Sequence, residues 1–298
     1  MKIAISGSSG FIGSAVTKVL RERGHDVRPI LRQKSDVHDA IYWNPDLEVI
    51  EPAGLENLDV VINLAGKTIR SMRWSEKDKI EFRDSRIRST KVLARAISRL
   101  KKRPEHFLSI SGTGYYGDAG ADIVTESYKP GSGIIAQLCR EWEMATWEAE
   151  AVGITVNHMR TGVVLSPHGG ALKMMLPFYR LGLSATLGTG EQFMPWITLS
   201  DAVNAIAFLI ENPQMGGAIN IVAPTPVTNR DFTKSLAKAL HRPTFLKFSS
   251  NIVQRMFGAL ASELLLDSTR AVPEKLTNAG FQFAHPDLHI ALKRLFKR

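Results

Sequence analysis

Glycines at 7, 10 and 13 stand directly behind the β-branched run Lys2-Ile-Ala-Ile-Ser6. They open a stretch in which Phe11, Ile12, Ala15, Val16, Val19 and Leu20 recur at helical spacing. Strand, glycine turn and helix in that order can cradle a pyrophosphate. Gly7 allows the tight turn, Gly10 lets the backbone approach a phosphate, and Gly13 lets the helix pack closely. The N–H groups and positive dipole end at the helix start then face the anion. Gly7, Ser8, Ser9, Gly10, Phe11, Ile12 and Gly13 are therefore the expected nucleotide contacts, with an ordinary glycine-rich turn as the alternative. A second group of reactive side chains lies in Ser111-Gly-Thr-Gly-Tyr-Tyr-Gly117, where Thr113, Tyr115 or Tyr116 could move a proton if its pKa were lowered. The alternative there is that Tyr116 packs structurally and Tyr115 lines a pocket. Cys139, beside Leu138 in a helical stretch, reads as core and not as a nucleophile.

The elements that must position these groups follow in order. A second strand over 26–31 ends at Arg32-Gln-Lys34, where a site for NAD would show an acid and the first acid is Asp36. A cation at Arg32 suits a 2′-phosphate, so the expected cofactor is NADP(H). Short strands are expected over 41–43 and 58–64. The second ends in Asn63-Leu-Ala-Gly66, and Leu64, Ala65 and Gly66 allow close backbone approach to the nucleotide. A strand over 106–111, a helix over 134–152 and a strand over 154–160 continue a βα alternation that a parallel sheet explains. Beyond Leu165, glycines and prolines break the chain into loops and short elements. Helices are expected over 172–180, 201–211 and 229–241 and a strand over 219–222.

Composition sets outer limits. The 298 residues can form one large or two modest domains, and 44% hydrophobic with 22% charged residues is ordinary for a globular chain. One cysteine excludes an internal disulfide framework and fits a reducing compartment. The first residues do not read as a signal peptide, and no apolar run reaches membrane-spanning length, so a cytoplasmic protein without a membrane partner is expected. Of the net charge of +9, residues 76–103 carry eleven Lys/Arg against four Asp/Glu. Ile80, Ile87, Val92, Leu93, Ala96, Ile97 and Leu100 keep an apolar stripe there, so the charge reads as a solvated helix face. Without interleaved aromatics, nucleic acid is not the expected partner. The eight histidines show no metal-ligand spacing, and no metal is expected.

Together, Gly7-x-x-Gly10-x-x-Gly13, Asn63-Leu-Ala-Gly66, Tyr115-Tyr-Gly117, Arg160-Thr-Gly-Val-Val-Leu165 and Pro195-Trp-Ile-x-x-x-Asp201 resemble an extended short-chain dehydrogenase/reductase. Arg73-Trp74, Ser85-Arg86, Leu181-Gly-Leu183, Gly188-x-Gly190, Gln192, Arg270-Ala-Val-Pro273 and Ala279-Gly-Phe281 are similar to an atypical epimerase-family subgroup with a small C-terminal extension. The resemblance spans nearly the whole chain. It implies an α/β fold, a Rossmann doubly wound parallel sheet with a smaller mixed C-terminal substrate domain. The NADP-binding part would be 1–165 with core elements from 195–222, the substrate side 166–247, and the extension 248–298. It adds Ser111, Arg160 and Gly162 to the cofactor contacts. Arg180, Gln192 and Trp196 become substrate contacts, beside Lys173 and Met194. The family's Tyr-x-x-x-Lys is absent: Ile135 and Cys139 fall at its two positions, Gly112 falls at the usual Ser/Thr, and Lys67 stands where the subgroup has Glu. Two functions follow as expectations. One is an NADP-dependent oxidoreductase or epimerase moving hydride to or from a small polar substrate. The other is a non-catalytic NADP(H)-binding sensor or partner-binding protein, monomeric or homodimeric in either case.

Overall fold

The computed structural model describes residues 1–33, 37, 39–67 and 75–297. Lys34, Asp36, Arg73 and Trp74 lie outside the described residues. Runs such as Ile3-Ala-Ile5 and Val60-Val-Ile62 are buried on both faces, which is why they read as unbroken apolar segments and not as alternating ones. The main sheet takes β1 (Lys2–Ser6), β2 (Asp26–Leu31), β3 (Ile41–Asn44), β4 (Val49–Ile50), β5 (Val60–Asn63), β6 (His106–Gly112), β7 (Thr155–Thr161) and β8 (Gly217–Ile221). Their spatial order is β8-β7-β6-β5-β1-β2-β3-β4. All neighbours run parallel except the edge pair β3–β4. From β1 the chain builds outward to β2 and β3 on one side, then returns to β5 and builds outward on the other. The switch point therefore lies between β1 and β5, where Ser6 is in register with Asn63.

Helices cover both faces. On one, α1 (Phe11–Glu22) buries Val16 and Leu20 against Ile3, Ile5 and Val60, joined by Val203 and Ile206 of α6 (Leu199–Glu211). On the other, α2 (Glu76–Ser98) buries Val92, Leu93 and Ile97. Ser75 caps α2 reciprocally with Asp78. Part of the positive charge read along this helix meets partners inside the molecule: Arg83 on Glu141, Arg88 on Asp84, and Arg95 on Glu48 and Glu148. The helix expected over 134–152 is broken into α3 (Ile134–Met144) and α4 (Trp147–Glu150). Buried Thr146 stands at the break, where its hydroxyl donates to the Glu143 carbonyl at 2.7 Å and competes with helical bonding.

The second half of the chain caps the carboxyl ends of the strands. α5 (Gly170–Arg180), α7 (Asn229–Ala239) and the final helix, Leu288–Phe296, share one core of Leu172, Leu176, Phe232, Leu236, Leu288 and Leu292. α8 (Ser250–Leu266) breaks its helical geometry at Gly258, with φ of 81°, and its Leu260 packs on Ile135 and Cys139 of α3. Among the described residues no helix is long and apolar enough to cross a membrane.

Candidate active-site cleft

The site has two adjoining parts at the carboxyl ends of the strands. The outer part, about 1090 Å³, is walled by Gly7 to Gly10, Arg32, Leu64 to Lys67, and the Glu81, Asp84, Ser85 and Arg88 face of α2. Gly7 has φ of 71°, and a Cβ there would stand 2.6 Å from the Leu64 carbonyl oxygen. A Cβ at Gly13 would run into the Gly7 carbonyl, so this glycine permits the turn to fold back onto the helix. A Cβ at Gly10 would meet only the Gly7 carbonyl, at 3.1 Å, and its outer side opens to the cleft. α1 begins with neither a side-chain cap nor an acid in its first turn. Its leading N–H groups are left to an anion.

The switch point is held by a buried chain of bonds. Ser6 Oγ donates to Asn63 Oδ1 at 2.7 Å, and Asn63 Nδ2 donates to Thr90 Oγ1 at 2.8 Å. The Trp142 indole donates to the same hydroxyl, and the Ala65 N–H returns to Asn63 Oδ1. These bonds tie β1, β5, α2 and α3 together and fix Ala65 and Gly66 as bare backbone beside the cleft. Among the described residues three cations face the outer part. Lys67 is held on Glu81 and Arg88 on Asp84, but Arg32 lies 3.9 Å from Asp46 with both side chains more than half exposed. Arg32 is thus the one most readily drawn to a phosphate. Glycine cradle, uncapped helix start and loosely held arginine together fit a phosphorylated dinucleotide.

The inner part, about 390 Å³, lies between the β6 exit, α3, the β7 exit and the end of α8. Ser111, Thr113, Gly162 and Gln192 line it, as do Arg86, Cys139, Glu263 and Asp267. Ser111 Oγ donates to Glu143 Oε1 at 2.8 Å. Gln192 Nε2 donates to the carbonyls of Leu187 and Leu265 at 3.0 and 3.2 Å, fixing its amide. The Glu263 carboxylate accepts the N–H groups of Ile134 and Ile135 at 3.1 and 2.9 Å, supplying α3 with the cap its own Gly133 lacks. Burial, then the charges of Asp118 and Glu263, push the Asp267 carboxyl up to about 6. Burial pushes the Cys139 thiol up to about 12, which keeps it protonated and unreactive.

Several residues expected at the site lie elsewhere. Arg160 is 4% exposed behind the β7 exit, where Nε and Nη2 grip the two Glu143 oxygens at 2.9 and 2.8 Å and Nη1 donates to the Tyr116 hydroxyl at 3.0 Å. It holds an internal ion pair and lines neither part of the cleft. Tyr116, 1% exposed, donates to Asn220 Oδ1 at 2.7 Å, and burial pushes its phenol up to about 12. The ring of Tyr115 lies against the Arg160 guanidinium, with Cζ 3.4 Å from its centroid. Neither tyrosine is among the residues lining the cleft, because the short 3₁₀ turn Thr113–Tyr116 carries them behind it and leaves Thr113 at the surface of the cavity. Trp196 is core, 1% exposed, with its indole donating to the Thr225 carbonyl. Arg180 sits exposed at the end of α5, away from both parts. Phe11 is packed onto Gly169 and Gly170, while Ile12 lines the inner part.

Other lining residues were not anticipated. Glu81, Asp84, Ser85 and Arg88 fall at i, i+3, i+4 and i+7, a polar stripe visible in the sequence once the helix is phased. Glu263 and Asp267 carry no such local signal. Among the described residues no group of His, Cys, Asp or Glu could hold a metal ion.

Comparison with known proteins agrees with this geometry. The model of the NAD dependent epimerase/dehydratase family matches residues 3–222, and a domain of unknown function, DUF1731, matches residues 251–295. The epimerase family protein Mb2239 of Mycobacterium bovis is 43% identical over 290 residues, 97% of this chain and 96% of that protein. The crystal structure of human epimerase family protein SDR39U1 (isoform 2) with NADPH superposes with a TM-score of 0.91 at 32% identity, covering 99% of each chain. A nucleoside-diphosphate sugar epimerase from Corynebacterium glutamicum gives a TM-score of 0.82 at 30% identity; all of this chain matches 59% of that one. A parallel sheet with its switch point at a glycine cradle, and relatives matched end to end, lead to one conclusion: the chain belongs to the NAD dependent epimerase/dehydratase family.

Proposed function

We propose that the protein is an NADP(H)-dependent oxidoreductase or epimerase that moves hydride to or from a small polar, sugar-derived substrate in the cytoplasm, as a monomer or homodimer. The observation that carries this reading is the junction of two complementary cavities. An anion cradle at the start of α1 adjoins a smaller cavity lined by hydroxyls and by a carboxyl with a near-neutral pKa. NADPH in the crystal structure of the human relative supports the nucleotide, and the sugar epimerase of Corynebacterium supports the substrate class. The bound nicotinamide nucleotide would supply the hydride chemistry. The N–H groups at Phe11 and beyond, with bare Gly10, would hold its pyrophosphate, and Arg32 its 2′-phosphate. Thr113 and Ser111 would orient a substrate hydroxyl. Asp267, tuned to about 6, would hold or release the accompanying proton.

Ile135 and Cys139 line the inner cavity where the family's tyrosine and lysine would stand, and this favours a second reading, a nucleotide-binding protein without catalysis. One experiment separates the two. Arg32→Ala should weaken NADPH by roughly 1.5–3 kcal/mol, the worth of a charge-assisted contact, with NADH nearly unchanged. A screen of sugar derivatives followed by reduced-nicotinamide absorbance should find turnover. Equal losses for both nucleotides remove Arg32 from the phosphate site, and NADPH binding without turnover across the screen selects the second reading.

A further inference from the structure

Arg86 is unlike the other arginines of α2. Arg83, Arg88 and Arg95 each meet a carboxylate, whereas the Arg86 guanidinium has no carboxylate within ion-pair distance among the described residues. Its Nη1 donates to the carbonyls of Phe82 and Lys67 at 3.0 and 3.3 Å. Nε and Nη2 bond nothing among the described residues. Its carbon lies 3.5 Å from the centroid of the Phe82 ring and 5.2 Å from that of Trp142, so apolar faces replace much of its water. Burial without a compensating anion lowers its pKa to about 10. Such a cation is costly to leave uncompensated, and a ligand anion offsets the cost.

The side chain lines the inner cavity beside Cys139 and Trp142. A Cβ at Gly66 would stand in ordinary contact with the guanidinium carbon, 3.5 Å away, which sets the cation beside the Ala65-Gly66 corner where the two cleft parts meet. We infer that Arg86 is the anion-binding residue of the inner cavity, and that the substrate presents a carboxylate or phosphate to its two unused donors. A planar fork of N–H groups matches either anion. A cavity of about 390 Å³ is at the small end for ligand sites, so the ligand is one small anionic molecule and not a second nucleotide. The word substrate rests on the proposed function; the anion site does not.

The test titrates NADPH-saturated protein with oxalate and with inorganic phosphate, following nicotinamide fluorescence and heat. Wild type should bind at least one of them saturably. Arg86→Met should weaken that anion about tenfold or more while holding NADPH within about twofold of wild type. Arg86→Lys, which keeps the charge but loses the fork, should retain phosphate better than oxalate, and it carries the test if R86M fails to fold. Three results overturn the inference: unchanged anion affinity in R86M, no binding of either anion to wild type, or a tenfold loss of NADPH in R86M, which would assign the guanidinium to the nucleotide. Arg86-dependent anion binding without any turnover leaves the anion site standing and sinks the redox reading. If wild type does not bind NADPH, the same Arg86 dependence is expected on the nucleotide-free protein.

Discussion

The two parts of the cleft are built on opposite principles. The outer part is made by leaving side chains out: Gly7, Gly10, Gly13 and the Ala65-Gly66 corner expose backbone, and the helix start behind them is uncapped. The inner part is made by bringing side chains in, with Arg86 from α2, Thr113 from the β6 exit, Gln192 from a loop, and Glu263 and Asp267 from the end of α8. A cradle of backbone tolerates any nucleotide phosphate, while a cavity of specific groups selects a substrate. Behind the inner part lies the ion pair of Arg160 and Glu143, which touches Ser111 and Tyr116 and so fixes the wall without entering the cavity.

The largest effect should come from breaking that wall. Arg160→Leu leaves the Glu143 carboxylate buried without its partner, which costs about 3–5 kcal/mol and should appear as a large drop in the thermal or urea midpoint. NADPH affinity of the remaining folded protein should stay near wild type. A variant of normal stability that has lost NADPH would put Arg160 back in the cleft and erase the distinction between wall and cavity.

Two glycine variants sharpen the contrast inside the outer part. Gly13→Val drives its side chain into the Gly7 carbonyl, so it should lose about 1–3 kcal/mol of stability, the range for overpacking, together with NADPH binding. Gly10→Val has the cleft on its outer side and only a 3.1 Å contact behind. It should fold nearly as well as wild type and lose NADPH by about 100-fold, close to 2.7 kcal/mol. Calorimetric titration beside circular dichroism melting reads both halves. If Gly10→Val binds normally, the glycine turn is not the phosphate cradle.

This contrast also marks what a sequence can disclose. The glycine turn and its two flanking strands are local, signalled by residues within a few positions, and β2 is found over the expected span, 26–31. Tyr115 and Tyr116 show the limit. Their place at a strand exit is legible, but the one-turn 3₁₀ helix that carries both behind the cleft depends on Asn220 and Arg160, which are far along the chain. Trp196 fails for a similar reason, since it packs with Leu165, Ala223 and Phe232 in a core assembled only in three dimensions. Asp267 is the converse case, an ordinary acid in an unremarked loop until α8 carries it to the cavity.

The smallest effect concerns that same acid, and it tests whether the inner part is tuned for proton transfer. The folded protein raises the Asp267 carboxyl from 3.8 to about 6, first by burial and then through Asp118 and Glu263. The native state therefore holds this proton more tightly than the unfolded chain. Its contribution to stability is fully present below the unfolded value and is lost as pH rises to about 6 and beyond. Asp267→Asn stays neutral throughout. It should match wild type near the acid end of that window and be more stable above it, by about 1 kcal/mol once the shift is discounted for a partly exposed group. Urea midpoints taken at steps of pH measure the gap. A gap that opens in the opposite direction would mean that the carboxylate, not the neutral acid, is the form this cavity prefers. Asp267 would then lose its place as the group that holds the proton, and the inner part would be a binding cavity alone.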